Sequence, residues 1–275
     1  MLRDSRSSAE SSEMIITRFA PSPTGRLHLG HAYSAMLSHD LGRTGGGRFV
    51  LRIEDIDTAR CRPEFSAAIL DDLAWLGLGW DACSIQTDHA PAHAATLDRL
   101  RAMRLIYPCT CTRAEIAASQ SAPHGDSERA YPGTCRGRTD APDDAAFRLD
   151  VAKALAVVGG SALRDDVVLA RKGLGVAYHL AVVVDDAAAG VTDVIRGCDL
   201  EGATPVQMLL QRLLGLPTPL YLHHALIAGP DGRRLAKRTP GATLTDMRAA
   251  GVDPLALLTD LRAGRLPVGF GWVDA

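Results

Sequence analysis

The sequence lacks an excess of charge of either sign. Its 275 residues include 30 Lys and Arg against 32 Asp and Glu, so the formal net charge is −2. This balance excludes the global basic character that marks many nucleic-acid-binding proteins. A polyanionic partner would therefore be met by a local basic patch.

The first 13 residues lack the apolar core that a signal peptide or a membrane anchor requires. The segment MLRDSRSSAESSE is polar and rich in serine, and we expect a disordered tail over residues 1–13. The whole chain is 47% hydrophobic and 23% charged, which is typical of a soluble globular protein. The sequence thus predicts a cytoplasmic protein with one α/β domain and a smaller insertion.

Cysteine is scarce, with six residues in the chain. Three of them, Cys61, Cys83 and Cys198, are scattered along the sequence. A reducing cytoplasm would leave these three as thiols, so we expect no framework of disulfides.

The other three cysteines, Cys109, Cys111 and Cys135, lie in one short segment rich in Pro, Ser, Gly and charge. Zinc prefers four ligands drawn from thiolate and imidazole, and the Cys-x-Cys spacing lets one ion take both sulfurs. Tyr131 and His124 compete as the fourth ligand. Coordination chemistry alone favours His124, and three unbound thiols are the alternative.

The stretch RFAPSPTGRLHLGH, residues 18–31, has the features of a ligand-binding loop. The apolar residues 14–16 before it predict the end of a strand, and residues 31–43 after it predict a helix. Open α/β sheets bind ligands at such strand-to-helix turns, where the helix N-terminus offers unpaired N–H groups to an anion. His28 and His31 are three positions apart, which predicts that both imidazoles face one phosphate group. An ordinary turn with surface histidines is the alternative.

The next segments alternate between strand and helix patterns. Residues 48–55 predict a buried strand, and residues 64–81 predict a helix that ends at glycines. This order is typical of a parallel sheet with right-handed crossovers. The charged residues at the carboxyl end of the strand are Arg52, Glu54, Asp55 and Asp57, and carboxylates placed there are suited to hold a ligand ammonium group or Mg²⁺. A solvated strand end is the alternative.

The middle of the chain predicts a helix followed by further strands that return to the sheet. Apolar residues at 97, 100, 103 and 106 have helical spacing. Residues 177–187 form a continuous apolar run with acids at its end, which predicts a buried strand. Tyr178 and Arg196 flank this run, and we expect both to point into the cleft of the first loop.

Two last features precede the C-terminal region. Residues 219–227 predict another strand, and residues 229–239 predict a mobile basic loop rich in glycine. If the loop closes over a triphosphate, Lys237 would neutralise charge as pyrophosphate leaves. A solvated loop is the alternative. Leucines at 255, 257, 258 and 261 predict a closing helix.

In their order, these segments resemble the class I aminoacyl-tRNA synthetases of the glutamyl type. RFAPSPTGRLHLGH is similar to the first nucleotide-binding signature of that family, and RLAKR at 234–238 is similar to the second, with Ala236 where the family commonly has Ser. RIEDID, AYHLAVVVDD and VTDVIRGCDL also match, so the resemblance covers roughly residues 14 to 240. Full-length members add a large anticodon-binding portion, for which residues 240–275 are too few. The chain thus resembles the truncated members that place glutamate on the queuosine base of tRNA(Asp).

The resemblance implies the site residues and the substrates. It implies ATP, with Mg²⁺, on a loop with His28, Gly30 and His31 and against Lys237, of which His28, His31 and Lys237 are catalytic. It implies a glutamate site made of Arg18, Ala20, Ser22, Glu54, Tyr178 and Arg196. It implies a structural zinc site made of Cys109, Cys111, Tyr131 and Cys135, and so favours Tyr131 over His124. The implied partners are L-glutamate, ATP and queuosine-containing tRNA(Asp), without a membrane, and the expected state is a monomer.

We therefore expect an α/β protein with a Rossmann-like parallel sheet, an inserted zinc-containing subdomain and a short helical C-terminal segment. The expected boundaries are 14–105 and 176–228 for the two halves of the sheet domain, 106–175 for the insertion and 229–275 for the second-signature loop and helical end. Three other functions stay open. They are a shortened glutamyl-tRNA synthetase that charges a 3′ end, a small-molecule nucleotidyltransferase without RNA, and a catalytically silent RNA- or zinc-binding module.

Overall fold

The computed structural model describes residues 14–118, 131–143, 145–160, 163, 165–235 and 243–274. Its strands are β1 Ile16–Phe19, β2 Arg48–Ile53, β3 Ala82–Ile85, β4 Ile106–Cys109, β5 Ala146–Leu149, β6 Val168–Arg171, β7 Gly175–Val176, β8 Asp193–Gly197, β9 Leu220–His224, β10 Leu226–Ala228 and β11 Gly271–Val273. Its α-helices are α1 Leu29–Arg43, α2 Pro63–Trp75, α3 Ala90–Ala102, α4 Arg113–Ala118, α5 Val151–Val158, α6 Tyr178–Ala188, α7 Thr204–Leu214, α8 Leu244–Ala249 and α9 Pro254–Arg262.

A five-stranded parallel sheet with the order β3-β2-β1-β8-β9 forms the centre of the fold. The strand order reverses between β1 and β8, because β2 and β3 extend the sheet on one side and β9 on the other. Such a reversal opens a crevice at the carboxyl ends of the strands. The predicted α/β fold with a parallel sheet is therefore confirmed.

A second sheet, antiparallel with the order β4-β5-β6-β7, lies between the two halves of the parallel sheet in the sequence. The prediction that the middle segment returns directly to the parallel sheet is wrong for β5, β6 and β7. These short strands pair with one another, and the chain rejoins the parallel sheet only at β8.

The largest difference from prediction lies at residues 177–187, which form helix α6 and not a strand. The apolar residues of α6 are buried on several sides, including Leu180, Val182 and Val183. A continuous apolar run has no periodicity that separates a buried helix from a buried strand. Packing of α6 against α3 and α7 decided the outcome here.

Smaller differences concern the ends of elements. Strand β1 includes Arg18 and Phe19, so the loop is shorter at its start than predicted, and α1 begins at Leu29. Helix α3 starts at Ala90 and ends at Ala102, before Arg104 adopts a positive φ of 56°. The predicted strand at 219–227 is divided between β9 in the parallel sheet and β10, which pairs with β11. The predicted closing helix is confirmed as α9.

Two hydrophobic clusters hold these layers together. One joins β1 and β2 to α1, α2, α8 and α9, with Leu29, Phe49 and Leu73 fully buried. The other joins α3, α5, α6 and α7 to the antiparallel sheet, around Leu180 and Leu210. Among the described residues, no helix combines the length and the apolar character needed to cross a membrane.

Candidate active site

A cleft of about 390 Å³ opens at the carboxyl ends of β1, β2 and β8. The described residues of the predicted ATP and glutamate sites all line it: Arg18, Ala20, Ser22, His28, Gly30, His31, Glu54, Tyr178 and Arg196. Lys237 lies outside the described residues, as do Ala236 and His124. Arg234 and Leu235, directly before the undescribed part of the basic loop, line the cleft.

The loop between β1 and α1 is fastened to the end of β2. The carbonyl of Pro21 accepts a hydrogen bond from Glu54 N at 3.0 Å, and the carbonyl of Pro23 accepts one from Arg62 N at 3.0 Å. The two carbonyls thus tie the loop to the residue that follows β2 and to the N-cap of α2. This arrangement holds Ser22 beside Glu54.

His28 and His31 meet at the N-terminus of α1, with ring centroids 3.8 Å apart. His28 is the N-cap residue, and its backbone N–H donates to His31 Nδ1 at 3.2 Å. A Cβ at Gly30 would lie 3.1 Å from His28 Cε1, so glycine allows the ring to fold over the helix start. The two imidazoles and the first N–H groups of α1 form a suitable surface for a phosphate.

A buried array of charges underlies the glutamate half of the cleft. Arg18 Nε lies 3.3 Å from Asp186 Oδ1, and Arg52 bridges Asp186 at 2.8 Å and Glu54 at 3.1 Å. All four side chains are at most 7% exposed. The sequence predicted Arg52 beside the first loop without giving it a role, and it did not predict Asp186 as part of the site. The acids at the end of the 177–187 run were the signal for Asp186, but their burial required the helical geometry of α6.

Glu54 is the acid of this array that also lines the cleft. Burial raises the pKa of its carboxyl, although the guanidinium groups of Arg52 and Arg18 oppose the rise. Arg52 stays charged, because the attraction of Asp186, Glu54 and Asp185 outweighs the effect of burial and raises its pKa. A cationic ligand group beside Glu54 would favour its ionised form.

Arg196 is held differently from Arg18. Its NH1 donates to Gln207 Oε1 at 2.8 Å and its NH2 to Thr204 Oγ1 at 2.8 Å, while Nε lies 3.3 Å from His223 Nε2. The Tyr178 hydroxyl lies 3.5 Å from NH1. These partners are neutral, so they orient the guanidinium without neutralising its charge.

The fixation of Arg196 depends on α7 and β9. Helix α7 supplies Thr204 and Gln207, and the neighbouring strand supplies His223. Sequence reasoning missed all three partners, because nothing in their local sequence distinguishes them from ordinary packing residues.

The three clustered cysteines converge on Tyr131. Its phenolic oxygen lies 3.4 Å from Cys109 Sγ and 3.5 Å from Cys111 Sγ, and Cys135 N donates to it at 2.9 Å. Cys111 Sγ and Cys135 Sγ are 3.5 Å apart. Three sulfurs and one oxygen at these separations fit a four-coordinate zinc ion.

The groups of this cluster differ in their tendency to ionise, because burial raises the pKa of Cys111 and of Tyr131 while the pKa of Cys135 is lowered. Burial opposes ionisation of the Cys135 thiol, but hydrogen bonds from Thr110 N–H, Tyr131 and the neighbouring thiols lower its pKa to about 7. The Arg148 guanidinium stacks 3.8 Å over the Tyr131 ring, and its Nε donates to Cys109 Sγ at 3.3 Å. This contact places a cation beside the sulfur atoms of the cluster.

A second group of metal-ligand types was not predicted. His89 Nδ1 and His93 Nε2 lie 2.8 and 2.7 Å from the same oxygen of Asp185, and Gln86 donates to the other oxygen at 2.7 Å. These are hydrogen-bond distances, and they satisfy the buried carboxylate. The group anchors α6 to α3 below the cleft.

The fold and this cleft are those of a class I aminoacyl-tRNA synthetase catalytic domain. The family of class I tRNA synthetases (E and Q), catalytic domain, matches residues 14–268. A glutamate tRNA ligase structure from Elizabethkingia meningosepticum superposes with a TM-score of 0.67 at 25% identity, over 82% of this chain and 52% of that one. The glutamate-tRNA synthetase of Elizabethkingia anophelis, at 24% identity and a TM-score of 0.68, has the same fold and is covered over 54% of its length. The chain spans about half the length of these two enzymes.

Among curated relatives, the glutamyl-Q tRNA(Asp) synthetase of Rhodobacter capsulatus is 48% identical over 269 residues, covering 87% of this chain and 97% of that protein. The enzyme of the same name from Symbiobacterium thermophilum is 44% identical, covering 88% of this chain and 83% of that protein. The chain belongs to the class I glutamyl and glutaminyl synthetase family, in the group of the glutamyl-Q tRNA(Asp) synthetases. It is a ligase of the aminoacyl-tRNA synthetase type, as the sequence resemblance implied.

Proposed function

We propose that this protein activates L-glutamate with ATP and transfers the glutamyl group to the queuosine base in the anticodon of tRNA(Asp). One observation carries the proposal: a single cleft has two halves. Arg196 and Glu54 give one half charges of both signs, and His28 and His31 line the other half, which suits phosphate. A dicarboxylic amino acid and ATP need these two halves side by side. The name of the relatives supplies the acceptor, queuosine in tRNA(Asp).

Glutamate is bound by opposite charges in the first half. The Glu54 carboxylate binds the ammonium group of glutamate. The positive charge of that group also offsets the energetic cost of burying the ionised Glu54 side chain. Arg196 binds the γ-carboxylate, because its hydrogen-bond partners are neutral and leave its charge for the ligand. Arg18 shares its charge with Asp186 and orients the α-carboxylate. Ala20, Ser22 and Tyr178 complete the walls of the pocket.

The first step needs no protein nucleophile, since the attacking α-carboxylate is already ionised. One of its oxygens attacks the α-phosphorus of ATP, the bond to the β-phosphate oxygen breaks, and pyrophosphate leaves with the electron pair. His28 and His31 donate hydrogen bonds to the α-phosphate oxygens as charge builds on them. Lys237 and the Mg²⁺ that accompanies ATP neutralise the leaving pyrophosphate. Rate enhancement comes from position and charge stabilisation.

In the second step, a hydroxyl of the cyclopentene ring of queuosine attacks the carbonyl carbon of the adenylate. The new ester bond forms as the bond from the carbonyl carbon to the phosphate oxygen breaks. AMP departs with the electron pair, and a phosphate oxygen of AMP takes the hydroxyl proton.

Cys109, Cys111, Tyr131 and Cys135 would hold a structural zinc ion. An ion at this position would tie β4 to the segment that carries Tyr131 and Cys135, and so stabilise the small antiparallel sheet. The protein acts as a monomer in the cytoplasm, where ATP and tRNA meet.

Exchange of pyrophosphate into ATP tests the first step. We expect glutamate-dependent exchange in the absence of tRNA, and labelling of queuosine-containing tRNA(Asp) but not of the same tRNA without queuosine. Label on the 3′ end of tRNA(Glu), removed by mild deacylation, would favour the shortened glutamyl-tRNA synthetase. Absence of exchange with every amino acid would contradict the proposal and favour a silent binding module.

A further inference from the structure

A second cavity, of about 340 Å³, opens beside the main cleft. We call it the side cavity. Ser22, Thr24, Glu54, Arg60 and Tyr178 line both spaces. The side cavity alone is lined by Ile56, Asp57, Gln86, Arg171, Ala177 and His179.

The side cavity adjoins the glutamate half of the cleft and not the ATP half. Glu54 and Tyr178 form the common wall, whereas His28, Gly30 and His31 line only the main cleft. A nucleophile that attacks the adenylate carbonyl must reach the amino acid while AMP still occupies the ATP half. The side cavity therefore borders the glutamate half of the cleft on a side that the phosphate-binding residues do not line.

Three polar atoms of the side cavity residues are buried and form no hydrogen bond with the described part of the chain. They are Gln86 Oε1, Arg171 Nε and His179 Nδ1. Gln86 is fully buried, and its amide nitrogen is already bound to Asp185. Buried polar atoms are normally satisfied, since leaving one unpaired costs about 1 to 3 kcal/mol. The walls of the side cavity therefore contain polar groups that the described part of the chain does not satisfy.

The mouth of the side cavity carries charges of both signs. Asp57 is 19% exposed and forms ion pairs with Arg60 at 2.6 Å and Arg171 at 3.7 Å. The hydrogen bond from Arg60 holds the pKa of the Asp57 carboxyl below its usual range, so it stays ionised. Two guanidinium groups and one carboxylate leave a net positive charge, which suits a phosphodiester backbone.

We infer that the side cavity receives the modified base of the acceptor nucleotide, with its diol and amine against Asp57 and His179 and the flanking phosphate near Arg171. The inference rests on the proposed transfer to queuosine, whose cyclopentenediol is carried on a secondary amine. Ile56 and Ala177 provide apolar contact for the ring. Burial of His179, together with the nearby charge of Arg196, lowers the pKa of its imidazole and keeps it neutral, able to accept a hydrogen bond from a hydroxyl.

The test separates activation from transfer in Arg171→Ala and Asp57→Asn. Neither residue lines the main cleft, so we expect glutamate-dependent pyrophosphate exchange within about twofold of the unsubstituted protein. Single-turnover transfer from preformed glutamyl-adenylate to queuosine-containing tRNA(Asp) should fall about tenfold or more, as expected for loss of a hydrogen bond to a charged group. Retained exchange also proves that each variant folds.

Lys172→Ala is the matched control, because it removes the same charge from the next residue, which lines neither cavity. We expect its transfer rate to stay near that of the unsubstituted protein. Equal losses in Lys172→Ala and Arg171→Ala, or transfer unchanged in both cavity variants, would overturn the inference while leaving the proposed function intact. Failure of the unsubstituted protein to label queuosine-containing tRNA(Asp) would overturn both.

Discussion

Asp186 and Arg18 form a buried ion pair below the cleft, with Arg18 Nε 3.3 Å from Asp186 Oδ1. Because Arg52 also contacts Asp186, one carboxylate from α6 positions two arginines that come from neighbouring strands. Asp186→Asn removes the negative charge, so the buried guanidinium groups of Arg18 and Arg52 have less opposite charge beside them. We expect the KM for glutamate in pyrophosphate exchange to rise about tenfold or more and stability to fall by about 3 kcal/mol.

The measurements for Asp186→Asn are exchange kinetics and thermal unfolding. Asp260→Asn is the control, because Asp260 forms an exposed ion pair with Arg265. An unchanged KM for glutamate in Asp186→Asn would show that Arg18 needs no partner to bind substrate.

Arg196→Lys tests the assignment of the γ-carboxylate. Lysine keeps the charge but loses the planar fork that Gln207 and Thr204 orient. We expect the KM for glutamate to rise about tenfold or more, with the KM for ATP unchanged, in steady-state exchange. Arg212→Lys, at an exposed position on the same helix as Gln207, should behave as the unsubstituted protein. A rise in the KM for ATP without a rise in the KM for glutamate would contradict the assignment, because Arg196 would then act in the ATP half of the cleft.

His28→Asn tests the phosphate-binding half. The change removes an imidazole donor at the start of α1 but keeps a side chain that can cap the helix. We expect kcat for exchange to fall about a hundredfold, with little change in the KM for glutamate, because the donor acts in the transition state. His39→Asn on the same helix is the control. Equal kcat values for both variants would refute the catalytic role of His28.

Asp72 on α2 is fully buried, and neither carboxyl oxygen has a hydrogen-bond partner in the described residues. Burial raises the pKa of its carboxyl to about 6, although Arg248 at 3.7 Å opposes the rise. Because the pKa in the folded state is higher than in the unfolded state, Asp72 stabilises the fold at low pH. This contribution is lost as the pH rises through about 6.

Asp72→Asn should therefore stabilise the protein by about 2 to 3 kcal/mol near neutral pH, and the gain should shrink toward acid pH. Urea unfolding at neutral pH and at acid pH measures the difference in the free energy of unfolding between Asp72→Asn and the unsubstituted protein. Asp71→Asn, on the exposed side of the same helix, should show no such pH-dependent gain. A gain of the same size at acid and neutral pH would contradict the raised pKa.

The proposed zinc site is tested by metal analysis of the purified protein. We expect one zinc ion per chain, about tenfold or more weaker binding in Tyr131→Phe, and loss of the ion in Cys111→Ser. Cys83→Ser, at an exposed free thiol, should keep the metal. Binding should weaken as the pH falls, because protons compete with zinc for the cysteine sulfurs. Full zinc content in Tyr131→Phe would exclude Tyr131 as a ligand.

The sequence by itself determined the class of fold and the family, because both depend on local signals in a set order. The loop at residues 18–31 carries prolines, glycines and histidines whose roles follow from backbone geometry and side-chain chemistry. Alternation of strand and helix patterns then predicted the parallel sheet. The resemblance to the family predicted Glu54, Tyr178 and Arg196 as glutamate-binding residues, and the structure brings them to one cleft.

The tertiary structure alone decided which groups support these residues. The run at residues 177–187 has the same apolar pattern as a strand, and only its packing against α3 and α7 makes it a helix. That helix delivers Asp186 to Arg18 and Asp185 to His93 of α3. Contacts between residues so distant in the sequence leave no trace in local periodicity, since they depend on how layers pack. The partners that leave Arg196 its charge, and the side cavity beside Glu54, are visible only once the elements are assembled.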